Sequence, residues 1–326
     1  MKILITGGAG YIGSIATEQA QAAGHEVAVL DSLWRGHREA TGDVDFHEVD
    51  LRDAVAVGAA VQASRPDAIM HFAAATIVPE SVEQPGLYFG VNTVGSHNLI
   101  TAAIEHGIER FVFSSTAAVY GAAEVDIISE ETPTHPINPY GLSKLMTEQM
   151  LGWQSRATGL KVAIFRYFNV AGASQRRGED HDPETHLVPI ALQAALGRRD
   201  ALTIFGTDYP TPDGTAIRDY VHVVDLADAH VLAVDWLAEN QFGTFNLGSR
   251  AGFSVRQVID AVESVTGEPL PVVEGPRREG DPPRLAADAT RARTDLGWSP
   301  SRSTMPEMVE SAWGWMQRNP DGYAVE

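Results

Sequence analysis

Thr6-Gly7-Gly8-Ala9-Gly10-Tyr11-Ile12-Gly13 is the stretch that decides the fold. An apolar run at 3–6 precedes its glycines and an amphipathic segment follows them, so they join a predicted strand to a predicted helix. Glycines at positions 7, 10 and 13 allow a tight turn, close approach of a pyrophosphate and close packing of helix on strand. The free N–H groups of the helix N-terminus then favour phosphate. The stretch predicts a dinucleotide-binding unit.

The same alternation of strand and helix continues through the first 170 residues. Runs rich in Val, Ile, Leu and Phe predict strands at 3–6, 27–30, 44–49, 68–73, 111–115 and 162–168. Amphipathic stretches predict helices at 12–23, 54–64, 92–105 and 143–157. We therefore expect an α/β fold with a doubly wound, Rossmann-like parallel sheet and right-handed crossovers.

The second half of the chain lacks this regular strand–helix alternation and predicts a smaller C-terminal substrate-binding lobe. We expect a cofactor-binding domain at 1–172, to which the chain returns near 215–250, and a substrate lobe at 173–326. Within that half we predict a polar excursion at 174–184, helices at 187–196, 223–237, 255–265 and 305–318, strands at 202–205 and 244–247, and a proline-rich extended surface segment at 269–284. Ser254 is the predicted N-cap of the third of these helices.

Composition excludes several functions. Among 326 residues, 43 are acidic and 24 are Lys or Arg, a net charge of −19 that repels nucleic acid and anionic membranes. Without cysteine the chain has no disulfide, thiolate nucleophile or Cys-ligated metal. No run reaches the roughly 18 apolar residues of a membrane span, and only Lys2 separates Met1 from the first predicted strand, so we expect a cytoplasmic protein.

Two aspartates bear on the choice of cofactor. Asp31 ends the second predicted strand, where a carboxylate can accept hydrogen bonds from both adenosine ribose hydroxyls and repel a 2′-phosphate. This favours NAD over NADP, although Arg35 and Arg38 lie close by in sequence, and a turn aspartate is the alternative interpretation. Asp50, after the third strand, is either an adenine contact or a simple turn aspartate.

Tyr140 and Lys144 predict proton-transfer chemistry, because a spacing of four puts both on one helix face. A phenol has a pKa of about 10, and lowering it by about 3 units requires about 4 kcal/mol. The Lys144 ammonium and an oxidised nicotinamide nearby would favour the phenolate. Thr116, following the fifth predicted strand, can hydrogen-bond a substrate hydroxyl and that phenolate.

Together these elements resemble the extended short-chain dehydrogenase/reductase family, over nearly the whole chain. The resemblance implies a homodimeric UDP-sugar isomerase that inverts C4 of UDP-glucose or UDP-galactose through a 4-keto sugar, with tightly bound NAD. It implies Tyr140, Lys144 and Thr116 as catalytic residues. The motifs and the resemblance predict these cofactor-binding residues: Gly7, Gly10, Tyr11, Ile12, Gly13, Asp31, Asp50, Leu51, Phe72, Ala73, Ala74, Asn92, Ser114, Tyr140, Lys144 and Tyr167. The substrate-binding residues that it implies are Thr116, Tyr140, Asn169, His186, Leu187, Thr203, Phe205, Arg218, Arg278, Asp281 and Leu285.

Departures from the family pattern leave other substrates and activities open. Thr76 replaces a cofactor-contacting lysine of some members, and His186 stands where some have asparagine. Leu285 falls where side-chain size governs acceptance of N-acetyl sugars, so a UDP-pentose or UDP-N-acetylhexosamine 4-epimerase remains an alternative. A 4-keto sugar reductase and an inactive NAD-binding regulator also remain alternatives. Ala117 and Ala118 replace the Asp-Glu pair of related dehydratases, which disfavours dehydration.

Three further features have competing interpretations. Arg166, Arg218 and Arg278 can each be an ion-pair residue or a phosphate contact, and we favour phosphate for the last two. The run 179–182, Glu-Asp-His-Asp, lacks a metal-ligand spacing, so we expect a solvated loop and no metal. The helix at 92–105 and the helix after Tyr140 are the expected dimer contacts.

Overall fold

The structure is a computed structural model that describes residues 1–123, 125–250, 252–278 and 281–323. Positions 279–280 of the predicted extended segment lie outside the described residues. The strands are β1 Lys2–Thr6, β2 Glu26–Asp31, β3 Asp45–Glu48, β4 Ala68–His71, β5 Arg110–Ser114, β6 Ile127–Ile128, β7 Lys161–Tyr167, β8 Asn169–Ala171, β9 Leu202–Phe205, β10 Ile217–Arg218, β11 Tyr220–His222, β12 Phe242–Leu247, β13 Phe253–Ser254, β14 Val272–Gly275 and β15 Arg284–Ala287.

The helices alternate with these strands. They are α1 Tyr11–Ala22, α2 Ala54–Ser64, α3 Val78–Glu83, α4 Pro85–Tyr88, α5 Gly95–Glu105, α6 Pro139–Thr158, α7 Leu187–Ala195, α8 Val223–Trp236, α9 Val255–Thr266, α10 Thr290–Asp295 and α11 Met305–Arg318. None of the described helices combines the length and the apolar composition needed to span a lipid bilayer.

The central element is a seven-stranded parallel sheet. Its strand order is β3-β2-β1-β4-β5-β7-β12, so the chain begins in the middle, moves to one edge and then crosses to the other side. Ligands of such sheets bind beyond the carboxyl ends of the strands at that reversal, here between β1 and β4. The predicted doubly wound, Rossmann-like fold is confirmed.

Alternate side chains of each strand belong to different cores because helices cover both faces. Ile3 and Ile5 pack in one cluster with α1 and α8, whereas Leu4 packs in the other with α2 and α5. This double burial explains why the strands are almost continuously apolar.

A third apolar cluster forms the smaller lobe, from residues of α7, α9, α11 and β9. The chain crosses between the lobes more than once, because β12 completes the large sheet while β6 pairs with β15. The boundary at 172/173 and the returns near 215–250 stay predictions.

Several element bounds differ from the prediction by a few residues, and two differences have a clear physical reason. Helix α6 starts at Pro139, earlier than the predicted 143, because the Asn138 side chain caps it by accepting from the Gly141 N–H at 2.8 Å. The segment predicted as merely extended at 269–284 contains β14, which pairs in parallel with β9. That pairing joins residues about 70 positions apart, and a local pattern cannot predict it.

Candidate active site

The glycine-rich turn forms a cradle between β1 and α1. Gly7 has φ +73°, and a Cβ there would lie 2.5 Å from the Ala73 nitrogen; a Cβ on Gly13 would overlap the Gly7 carbonyl oxygen. At Gly10 the nearest atom to a Cβ would be 3.4 Å away, and no side chain caps the helix that begins after it. The N-terminal turn of α1 therefore offers N–H groups and space to a diphosphate, which fits a dinucleotide.

The predicted cofactor residues gather along one edge of the sheet. Ile12 lies in the first turn of α1, and the Tyr11 hydroxyl donates to the Gly172 carbonyl at 2.6 Å. The others follow or end strands at that edge: Asp31 on β2, Asp50 and Leu51 after β3, Phe72, Ala73 and Ala74 after β4, Ser114 on β5, and Tyr167 on β7.

Asp31 is nearly buried beneath the glycine-rich turn. Its two carboxylate oxygens accept from the backbone N–H groups of Ala9 and Leu33, at 3.0 and 2.9 Å. Burial raises its pKa, and the N–H donors oppose that effect. Arg35 is held by Glu80 at 2.7 Å and Arg38 packs over a phenylalanine ring, so both nearby arginines have partners within the chain.

Asp50 and Asn92 make contacts that account for their positions without a ligand. The Asp50 carboxylate accepts from the backbone and guanidinium of Arg52, which lowers the Asp50 pKa. This geometry favours the turn-aspartate interpretation. The Asn92 side-chain oxygen accepts from the Ala75 N–H at 2.8 Å. The Asn92 side-chain nitrogen donates to the Ala75 carbonyl and to the Ser143 hydroxyl. Asn92 thus positions the segment after β4.

The three predicted catalytic residues come together at the carboxyl end of β5. Tyr140 and Lys144 lie on the buried face of α6, and the Tyr140 phenol is hydrogen-bonded to Thr116. The Lys144 ammonium donates to the Ser114 carbonyl at 2.9 Å, and the Ser114 and Tyr167 hydroxyls are 2.7 Å apart. The spacing of four along one helix produces the expected shared face.

Burial governs the charges of this pair. It raises the pKa of Tyr140, although the Thr116 hydrogen bond opposes the rise. It lowers the pKa of Lys144 to about 7. In the chain alone the phenol is therefore protonated at neutral pH, and the expected lowering of its pKa requires further positive charge next to the ring.

A buried ion pair lies next to the catalytic residues, and it was not predicted from the sequence. Arg166 donates to Glu148 at 2.5 Å and to the Tyr120 hydroxyl at 3.1 Å, and Glu148 also accepts from Ser115. Arg166 is thus an ion-pair residue. The signal was present in α6, because Glu148 follows Lys144 by one further helical turn.

The predicted substrate residues form a second cluster in the smaller lobe. Arg218 pairs with Asp281, and the Arg278 guanidinium lies 4.1 Å from the Phe205 ring centroid. Thr203 is on β9, two residues before Phe205, in register with β14. The Asn169 amide donates to the Asp219 carbonyl at 3.1 Å, so β8 adjoins the segment that carries Arg218.

Apolar contacts connect this cluster to the catalytic residues. Leu285 is the register partner of Arg218 across the β10–β15 pair. Leu285 and Ala117, the neighbour of Thr116, pack against the same apolar cluster with Phe168. Both groups of polar residues therefore adjoin the same apolar cluster.

His186 and Leu187 lie where α7 begins. Leu187 packs against the third apolar cluster, and the His186 Nδ1 is 2.8 Å from Glu179 and 2.9 Å from Glu184. Burial lowers the pKa of His186, but the charges and hydrogen bonds of Glu179 and Glu184 together outweigh this and raise it well above the ordinary value. The expectation of a solvated loop at 179–182 is wrong for Glu179, whose side chain is 8% exposed; the Glu184 side chain, just beyond that run, is 3% exposed.

Comparisons with known proteins agree with this geometry. The family described as NAD dependent epimerase/dehydratase matches residues 3–248. The chain is 48% identical to the UDP-glucose 4-epimerase of Halalkalibacterium halodurans, over 100% of this chain and 98% of that protein.

Solved structures are similar over the full length. The UDP-glucose 4-epimerase of Brucella ovis in complex with NAD is 42% identical, with a TM-score of 0.94 over 96% of this chain and 97% of that one. The enzyme of Bifidobacterium longum in complex with NAD⁺ and UDP is 35% identical, with a TM-score of 0.93 over 99% of this chain and 100% of that one.

Proposed function

This chain belongs to the NAD dependent epimerase/dehydratase family, and from that premise we propose that it is a cytoplasmic UDP-glucose 4-epimerase. The substrate is UDP-glucose or UDP-galactose and the cofactor is NAD. The glycine cradle, the Asp31 carboxylate and the backbone after β4 would hold the cofactor. The apolar cluster shared by the neighbours of the Tyr140–Thr116 pair and of the Arg218–Asp281 cluster carries the proposal.

Some of these residues anchor the substrate and others transfer protons. Arg218, Arg278 and Asn169 anchor the diphosphate and nucleotide, while Leu285 bounds the sugar. When bound, NAD supplies an acceptor and donor of hydride. Tyr140 as phenolate takes the proton of the sugar 4-hydroxyl, directly or through Thr116, and later returns it to the 4-keto oxygen. Charge from Lys144 and the oxidised cofactor favours that phenolate.

Inversion at C4 requires that the hydride leave from one face of the sugar and return to the opposite face. Anchoring through the UDP moiety permits this, because a sugar held mainly at its diphosphate can rotate between the two transfers. We expect strong polar contacts at UDP and few at the hexose.

Isomerisation is favoured over the dehydration that the family also includes. Elimination of water needs an acid and a base beyond the tyrosine. Ala117 and Ala118 follow Thr116, and neither side chain can transfer a proton.

A homodimer is part of the proposal, with α5 and α6 as its contact surface. Apolar side chains are exposed along this surface: Val94 just before α5, and Leu142, Met146 and Trp153 along α6. Trp153 is 69% exposed, unusual for so large an apolar side chain.

The direct test is an assay of the purified chain without added cofactor, using separate UDP-glucose, UDP-galactose, UDP-N-acetylglucosamine and UDP-pentose substrates. We expect conversion of UDP-galactose and UDP-glucose into each other, with a product ratio independent of the starting sugar. Failure to convert either hexose, in protein shown to contain NAD, would overturn the assignment.

A further inference from the structure

Two Glu-x-His pairs meet beside the cofactor cradle. Glu179 and His181 form the first pair, and Glu184 and His186 form the second; the chain bends between them at 182–183. One ligand atom from each of the four residues lies within 4.8 Å of the other three. Residues two apart on an extended chain point to the same side, so the bend brings two donor pairs face to face.

The side chains of this Glu–His cluster are in hydrogen-bond contact, slightly closer than the ligands of a small cation. The His181 and His186 Nδ1 atoms lie 3.1 and 2.8 Å from the same Glu179 oxygen, and His186 Nδ1 lies 2.9 Å from Glu184. Ligands at about 2.1 Å from a tetrahedral zinc ion lie about 3.4 Å apart. Small outward shifts of these side chains therefore admit an ion between them.

The carboxylates are buried and oriented before any ligand arrives. Glu184 Oε1 accepts from the backbone N–H groups of Thr185 and His186, at 2.6 and 2.7 Å. The Glu179 and Glu184 side chains are only 8% and 3% exposed. Buried carboxylates are paired or coordinate metals, because an isolated buried charge is costly. On binding an ion, His186 would release its proton, and two carboxylates with two neutral imidazoles would then offset a divalent charge.

We propose that Glu179, His181, Glu184 and His186 form a structural zinc site. The donor set selects the ion, because imidazole nitrogen with carboxylate oxygen suits zinc, whereas magnesium and calcium prefer all-oxygen ligands. Four protein ligands fill a tetrahedral shell and leave no open position, as in structural sites.

The zinc site would join three parts of the molecule. The ligands tie the segment after β8 to the start of α7, and the His181 ring lies edge-on to the Tyr11 ring, with centroids 6.2 Å apart. Tyr11 belongs to the glycine-rich turn, so the ion would stabilise the wall between the cofactor cradle and the smaller lobe. This inference is independent of the proposed activity, because metal content tests it without turnover.

The experiment uses the full-length chain without an affinity tag. The protein is stripped with a chelator, incubated with zinc alone or with excess magnesium and calcium, and desalted, and its metal content is measured by mass spectrometry. We expect about one zinc ion per chain despite the competitors, and a higher melting temperature than for the stripped protein. A wild-type chain that retains no zinc would overturn the proposal whatever the variants do.

Variants locate the site. His181→Ala and the isosteric Glu184→Gln should each lose most of the bound zinc and most of the zinc-dependent rise in melting temperature. His106→Ala, which removes an exposed histidine outside the cluster, should keep both. Full zinc retention by folded His181→Ala and Glu184→Gln proteins, checked by circular dichroism, would assign the metal elsewhere and contradict the proposal.

Discussion

At the scale of single residues, Tyr140 performs the step on which the proposed reaction depends. Replacing it with Phe removes the proton acceptor but keeps the ring that packs edge-on to Tyr88. We expect kcat for UDP-galactose to fall about 10²- to 10⁴-fold, the usual value of general acid–base catalysis. UDP affinity, measured by calorimetry, should remain within a few-fold of wild type. A Phe variant with near-native kcat would exclude Tyr140 as the base.

In the proposed mechanism, the charge of Lys144 favours the ionised form of Tyr140. Burial lowers the Lys144 pKa to about 7, so the residue is cationic below neutral pH and increasingly neutral above it. Replacing it with Met removes a charge that favours the phenolate, so the pKa of the base must rise. We expect the acidic limb of the kcat/KM profile to shift to higher pH in Lys144→Met. An unchanged limb would show that Lys144 does not act on the phenol.

Sequence reasoning at this scale predicted geometry that depends on local spacing. Tyr140 and Lys144 were identifiable because four residues along a helix define a shared face. Glu148 and Arg166 were not, because their ion pair joins α6 to β7 and requires knowledge of how these elements pack. A metal site at 179–182 was considered and rejected for a similar reason: Glu179 and His181 meet Glu184 and His186 only after the chain bends.

At the scale of elements, the β1–α1 turn depends on the absence of side chains. Gly13→Ala would drive a Cβ into the Gly7 carbonyl, so helix α1 must move away from β1. We expect Gly13→Ala to lose NAD content and to melt at a lower temperature than wild type.

Gly58 provides the matched control for this substitution. It lies inside α2, and a Cβ there would meet no atom within 4 Å. Gly58→Ala should stabilise the chain by about 0.5–1 kcal/mol, since alanine is the better helix former, and should leave NAD content unchanged. Equal behaviour of the two variants would contradict the proposed steric requirement.

Most element bounds followed from local patterns, whereas strand pairing did not. The predicted strand at 202–205 and helix at 305–318 coincide with β9 and α11, which have clear apolar runs or periodicity. The short strands of the smaller lobe are different. Strands β10, β13 and β15 have two to four residues each, too few for a period, and are defined by their partners.

At the scale of the whole molecule, the exposed apolar stripe on α6 predicts assembly. Trp153→Asp should convert the proposed dimer into monomers, because a charge would be buried against the partner surface. Trp34→Asp is the control: Trp34 is 48% exposed and, like Trp153, is covered by a neighbouring arginine, but it lies outside α5 and α6. Light scattering after gel filtration measures the mass. A wild-type monomer, or a Trp153→Asp dimer, would contradict the proposed interface.

The central claim is that the sugar C4 is inverted by hydride transfer, and the fate of the hydrogen on that carbon tests it most directly. The purified chain converts UDP-galactose in deuterium oxide, and the product is analysed for deuterium at C4 by NMR. We expect UDP-glucose with no deuterium at C4, because the carbon-bound hydrogen leaves and returns as hydride while only hydroxyl protons exchange with solvent. Deuterium at C4 of the product would show proton abstraction from carbon and would contradict the proposed mechanism.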